Sequence, residues 1–130
     1  MKIESQEISL PILKEKEISL FVKRLDKTHP FISGNKWFKL KYNLIEAKKL
    51  GYKTLLTFGG AYSNHIFATA FLAKERGLKS VGIIRGEEHL SLNPTLRFAI
   101  ENDMKLHYVS RSDYREKTTP CFLEKLKAKK

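Results

Sequence analysis

The sequence predicts an α/β fold built on a parallel sheet. Three observations carry that reading: strand-like apolar runs alternate with helical patterns, glycine punctuates most junctions, and the helix after the first such run is apolar almost all round. Strands joined through helices imply right-handed crossovers and parallel pairing. Ligands of such sheets gather at the carboxyl ends of the strands, which here are the loops after Phe58, Arg85 and Val109.

Glu17 to Lys23 alternates polar and apolar residues as a strand does. Asp26 to Pro30 is a loop leading to Gly34. Trp37, Phe38, Leu40, Leu44, Ile45 and Ala47 then share one side of a helical wheel, with Lys39 and Glu46 opposite, and Gly51 after the Lys48-Lys49 pair stops that helix. Lys53 to Phe58 is a short strand closed by Gly59-Gly60, and Asn64 to Arg76 reads as a buried helix ending at Gly77. Lys79 to Arg85 is the next strand, rich in β-branched residues and ended by Gly86. A helix over Pro94 to Asn102, a strand over Lys105 to Val109 and a helix after Pro120 complete the chain. Three segments follow: an N-terminal arm with a strand over 1–33, a helix and small α/β domain over 34–114, and a basic terminal helix over 115–130.

A chain of 130 residues, 42% of them apolar, is one ordinary domain in size and has the material for a core. No apolar run approaches membrane-spanning length, and the acid-bearing start Met1-Lys2-Ile3-Glu4-Ser5-Gln6-Glu7 lacks a signal core, so cytoplasmic residence is expected and no membrane partner. The single cysteine, Cys121, forms no internal disulfide. A formal charge of +11 raises the question of nucleic acid. The lysines are spread along the chain, with one dense cluster from Lys125 to Lys130, and neither an aromatic platform motif nor metal-ligand spacing accompanies them. A solvated lysine-rich surface is the better account, with no nucleic-acid partner and no metal site expected.

Two short stretches carry the chemistry. Ser33-Gly34-Asn35-Lys36 heads the amphipathic helix, and Gly59-Gly60-Ala61-Tyr62-Ser63-Asn64-His65 follows a strand. Each places polar side chains on a glycine-loosened turn that opens a helix, where backbone N–H groups are free and negative charge is favoured. A lysine that forms a Schiff base must shed its proton to attack. At Lys36 the positive helix end and the like charge of Lys39 both oppose the ammonium, and Trp37 and Phe38 offer an apolar wall. Asn64 can donate and accept, which suits a phenolic oxygen, and the Ser63 hydroxyl suits a substrate carboxylate or a proton relay. Ser63 or Asn64 also serves as the N-cap of the following helix, a role compatible with ligand contact. The glycine pair lacks the G-x-G-x-x-G spacing of a dinucleotide site.

Taken together, Gly34-Asn35-Lys36 before an amphipathic helix and Gly59-Gly60-Ala61-Tyr62-Ser63-Asn64 after a strand closely resemble the 1-aminocyclopropane-1-carboxylate deaminase and D-cysteine desulfhydrase family. The similarity runs from about Leu25 to Tyr114 and rests on both motifs in the same order. The resemblance implies a pyridoxal 5'-phosphate enzyme of fold type II, with the small domain of a tryptophan synthase beta-like architecture. It implies Lys36 as the catalytic lysine that carries the cofactor, Asn64 as partner of the ring oxygen, Lys39 near the phosphate, and Ser63 as a catalytic residue contacting a small amino-acid substrate. Tyr62 stands where the family often has glutamine, and Ile66-Phe67-Ala68 stands where a basic residue often follows. His65 is similar to the desulfhydrase form and favours a thiol amino acid.

Members of this family have on the order of 300 residues, two domains' worth. After Tyr114 this chain has no glycine and hence no phosphate loop, so it is expected to be an N-terminal portion with little turnover of its own. A complementary C-terminal chain or a homo-oligomer is the partner this implies. The alternative is a non-catalytic residual domain that binds a partner.

Overall fold

The computed structural model describes residues 2–32, 34–88 and 91–127, so Ser33 and the last three residues of the basic C-terminal cluster lie outside the described residues. The chain divides into two compact units, Met1–Glu46 and Ala47–Lys130.

In the first unit, β1 (Ser5–Ile8), α1 (Pro11–Glu15) and β2 (Leu20–Lys23) form a two-stranded ribbon with a helical turn at its bend. The strands pair antiparallel from Ser5↔Lys23 to Ile8↔Leu20. The strand expected from Glu17 begins only at Leu20. Glu17 has φ +53°, outside the extended region, and the Ile18 N–H turns back to the Leu13 carbonyl at 2.8 Å. Arg24 follows the ribbon and grips Asp26 with Nε–Oδ1 at 2.9 Å and Nη2–Oδ2 at 2.6 Å, while also donating to Gln6. This two-pronged hydrogen bond holds the Asp26 carboxyl well below the usual carboxylate range, at about 2.

A single 3-10 turn over Leu25–Lys27 leads toward α2 (Lys36–Lys49). The Leu25 carbonyl accepts from the Gly34 N–H at 2.9 Å and from Thr28 Oγ1 at 2.8 Å, so the approach loop is stitched back to that turn. His29 lies flat against Trp37, with centroids 6.1 Å apart and planes 5° from parallel. On α2 the expected apolar side is only partly covered: Leu40 and Ala47 are buried, whereas Phe38 and Ile45 stand exposed.

The second unit holds β3 (Thr54–Gly60), β4 (Lys79–Arg85) and β5 (Met104–Val109) in the order β3-β4-β5, with both pairs parallel. The intervening helices are α3 (Asn64–Glu75) and α4 (Pro94–Glu101). Both pack on one face of the sheet, where Ile66 and Ala70 of α3 and Leu96 and Ala99 of α4 meet Ile84 and Met104 in one buried cluster. Phe67 and Phe98 stack between the helices at 3.7 Å. On the other face Phe58 meets Tyr114 of α5 (Arg111–Arg115) at 6.1 Å and Phe122 of α6 (Pro120–Lys127) at 6.3 Å.

The α/β class and the parallel pairing expected from the sequence are thus present. β3 runs on through both glycines rather than stopping at Phe58. The reason is space: a Cβ on Gly59 would lie 2.5 Å from Ile66 Cγ1 and 2.9 Å from Ser63 Oγ, so only glycine lets the strand end pass beneath the start of α3.

Candidate active site

Lys36 and Lys39 belong to the first unit, on the opening turn of α2. The Lys39 N–H donates to the Asn35 carbonyl at 3.1 Å, closing the first helical ring. Lys36 is half-buried as a residue, its ammonium donates to Asn35 Oδ1 at 2.8 Å in an exposed hydrogen bond, and Lys39 is exposed.

Ser63 and Asn64 belong to the second unit, at the carboxyl end of β3. Ser63 is the N-cap of α3: its Oγ accepts the N–H groups of His65 at 3.2 Å and Ile66 at 3.4 Å. Its own N–H donates to the Gly60 carbonyl at 3.1 Å, so the turn is fixed at both ends. Capping uses the oxygen's lone pairs and leaves the hydroxyl hydrogen to donate elsewhere. Asn64 is the first helical residue, exposed, and its amide has no hydrogen-bond partner among the described residues.

A cleft of about 880 Å³ opens beside this turn. Its floor is Ile84 and Leu96, and its rim comes from the loops after all three parallel strands. Gly60 ends β3 and Ala61 and Tyr62 follow it, Arg85 ends β4 and Gly86 follows it, and Ser110, Arg111 and Ser112 follow β5. Gly86 has φ +114° and donates its N–H to the Val109 carbonyl at 2.9 Å, a backbone geometry that side-chain-bearing residues rarely adopt. Asn93 braces the rim: its Oδ1 accepts the Leu96 N–H at 3.0 Å as the cap of α4, and its Nδ2 donates to the Ala61 carbonyl at 3.1 Å. Tyr108 also lines the cleft, its phenol raised above the ordinary value first by burial and then by Glu88.

The comparisons with known proteins bear on this geometry. A candidate 1-aminocyclopropane-1-carboxylate deaminase of Pyrococcus abyssi is 45% identical over 82 residues, covering 63% of this chain and 25% of its own length. A D-cysteine desulfhydrase of Klebsiella pneumoniae is 37% identical over 78 residues, covering 55% and 24%. The crystal structure of a homologue of the deaminase matches 99% of this chain and 39% of that one, with a TM-score of 0.72 and 32% identity. The chain is related to part of the 1-aminocyclopropane-1-carboxylate deaminase and D-cysteine desulfhydrase family. It spans about a quarter of the length of these two curated relatives. A hydrogen sulfide-producing enzyme of Fusobacterium nucleatum shares the fold of this family portion, with a TM-score of 0.59 at 18% identity over 86% of this chain and 35% of its own. No protein-family profile matches the sequence. Among the described residues no helix is long and apolar enough to cross a membrane.

Sequence reasoning located the three loops at the strand ends but named none of Arg85, Asn93, Ser110 or Arg111 as site residues. A signal for two of them was there: Asn93 before Pro94, and Ser110 three residues before Asp113, both match helix-capping spacing directly after a strand or loop.

Proposed function

We propose that this chain supplies the lysine-bearing helix and the Ser-Asn turn of a pyridoxal 5'-phosphate-dependent lyase or deaminase acting on a small amino acid. The observation that carries the reading is the turn at Ser63-Asn64. It lies at the carboxyl end of a parallel strand, is rigidly capped, and keeps one hydroxyl hydrogen and one whole amide unspent. Support comes from the similarity to proteins named as a desulfhydrase and as candidate deaminases.

The donor set fits the cofactor. Lys36 brings a primary amine for the aldehyde, Asn64 an amide for the ring oxygen, and Lys39 a countercharge for the phosphate. When bound, the cofactor supplies an electron sink for the charge that develops at the substrate's α-carbon. The chain's own residues do the rest. The Ser63 hydroxyl would donate to the substrate carboxylate and orient it, and the Lys36 amine would shuttle protons: it removes the α-hydrogen of D-cysteine, whereas 1-aminocyclopropane-1-carboxylate has no α-hydrogen and takes a proton on a carbon of the opening ring. With D-cysteine and one water the balanced products are pyruvate, ammonia and sulfide; with 1-aminocyclopropane-1-carboxylate and one water they are 2-oxobutyrate and ammonia. His65 in the turn favours the thiol substrate.

The test is a chimera in which this chain replaces the matching stretch of the Klebsiella desulfhydrase. It should bind pyridoxal phosphate, and borohydride reduction followed by peptide mapping should place the label on Lys36. Sulfide release from D-cysteine should disappear in Lys36→Ala and fall at least 100-fold in Ser63→Ala. A folded chimera that is labelled elsewhere, or that keeps its activity in Lys36→Ala, would refute the reading.

A further inference from the structure

We propose that His29 is a positioning residue for Lys36: its imidazole pins the loop before α2 and seats the Trp37 ring, and so fixes the helical turn from which Lys36 projects. The inference lies within the first unit and rests on the reading of Lys36 as the cofactor-bearing lysine.

Three observations carry it. First, the start of α2 needs outside support. Its opening turn holds two lysines, Lys36 and Lys39, and no acidic residue. Cations are disfavoured at the positive end of a helix, so this turn is weak by its own electrostatics. Second, one side chain reaches both the loop and the helix. His29 Nδ1 accepts the Phe31 N–H at 3.1 Å, and the same ring lies parallel to that of Trp37, the residue next to Lys36, with 6.1 Å between centroids. Rings in offset parallel contact attract one another beyond the area they bury.

Third, the loop that carries His29 is tied down. Pro30 fixes its own φ and disfavours helical backbone at His29. The Leu25 carbonyl accepts from Thr28 Oγ1 at 2.8 Å and from the Gly34 N–H at 2.9 Å, which closes the loop at both ends. Ile32, 0% exposed, anchors it. A ring held by this loop therefore holds Trp37, and neighbouring residues of one helical turn move together. Misplacing a reacting group by about 1 Å costs on the order of 100-fold in rate, so the seat bears on the chemistry without touching substrate.

The test separates the two contacts. His29→Phe keeps a ring for Trp37 and loses the acceptor; His29→Asn keeps an acceptor for the N–H two residues on and loses the ring. Trp37 is the only tryptophan, so the indole fluorescence of the 130-residue chain reports on it alone. Acrylamide quenching should rise about twofold in His29→Asn and hold in His29→Phe. Exchange of the Phe31 amide should quicken about fivefold in His29→Phe and hold in His29→Asn. In the desulfhydrase chimera, His29→Asn should lower kcat about tenfold with the KM for D-cysteine within about twofold, and His29→Phe should recover most of that loss. His107→Gln removes an imidazole from β5 in the second unit and should leave kcat and quenching unchanged. Unchanged quenching in His29→Asn, full kcat in His29→Asn with the label still on Lys36, or an equal loss in His107→Gln would overturn the proposal. A label elsewhere than Lys36 would refute the reading on which it rests, and the measurements on the chain alone keep the two failures apart.

Discussion

Asn93 holds Ala61 from across the cleft: one side-chain amide caps α4 at Leu96 and, 3.1 Å away on its other side, donates to the Ala61 carbonyl. The two residues are 32 positions apart in sequence, and this bond links the loop after β3 to the start of α4. Asn93→Ala removes both bonds and should cost about 1–2 kcal/mol in urea unfolding. Asn93→Asp keeps the capping oxygen and loses the donor. It should recover most of the stability while hydrogen exchange quickens at Tyr62 and Ser63.

Gly59→Ala tests how tightly the Ser-Asn turn is seated. Its φ is ordinary, so the penalty is one of space: the added methyl would meet Ile66 Cγ1 at 2.5 Å and Ser63 Oγ at 2.9 Å. Overpacking of this kind costs about 1–3 kcal/mol. A calorimetric scan should show the loss, and amide shifts should move at His65 and Ile66 as their bonds to Ser63 lengthen. An unchanged melting temperature would mean that the turn has slack.

Acid titration should single out Asp26. Its folded carboxyl titrates near 2, below the ordinary 3.8, chiefly because Arg24 donates to it. A depressed carboxylate contributes stability that is present above its unfolded value and is lost as the pH falls through the folded one. The effect therefore belongs to the window from about pH 4 down to about pH 2. The pair is exposed, so the change is small and best read by carbon-detected titration of the carboxyl itself. The midpoint should climb toward 3.8 in Arg24→Gln, and a midpoint that stays put would exclude the Arg24 bond as its cause.

The proposed function gives Lys39 the cofactor's phosphate, a role that its position on α2 would separate from those of neighbouring lysines. Lys39→Gln in the chimera should weaken pyridoxal phosphate binding about tenfold by equilibrium dialysis, the loss of one charge-assisted contact. Lys48→Gln, an identical charge change in the last turn of the same helix, should leave the affinity within about twofold. Equal losses would reduce the Lys39 assignment to general charge.

Much of this fold was legible because glycine and β-branched residues mark its joints. The strand Lys79–Arg85 is found where the sequence puts it, and the helices opened by Lys36, Asn64 and Pro94 begin where their polar caps and apolar spacing indicate. The short elements were not legible. α1 and α5 have five residues each, too few to show a period, and β1 has four residues with no clean alternation. The extra length of β3 was hidden because glycine ordinarily ends a strand, and only the approach of Ile66 explains its use within one. The motif lysine and the Ser-Asn turn were visible as local patterns. The place of the cleft was legible from the strand ends, but which side chains line it was not, because they are gathered by the register of the parallel strands rather than by any spacing along the chain.

The strand that begins at Lys79 and ends at Arg85 has a further meaning for how such a protein can change over time. Packing is concentrated in its middle, at Ile83 and Ile84, each 1% exposed, while its last residue, Arg85, stands exposed at the mouth of the cleft. Mutations at exposed positions of the cleft mouth such as Arg85 and Arg111 can therefore be sampled by evolution with small penalties in folding, while Asn93 and Gly86 are held by the scaffold.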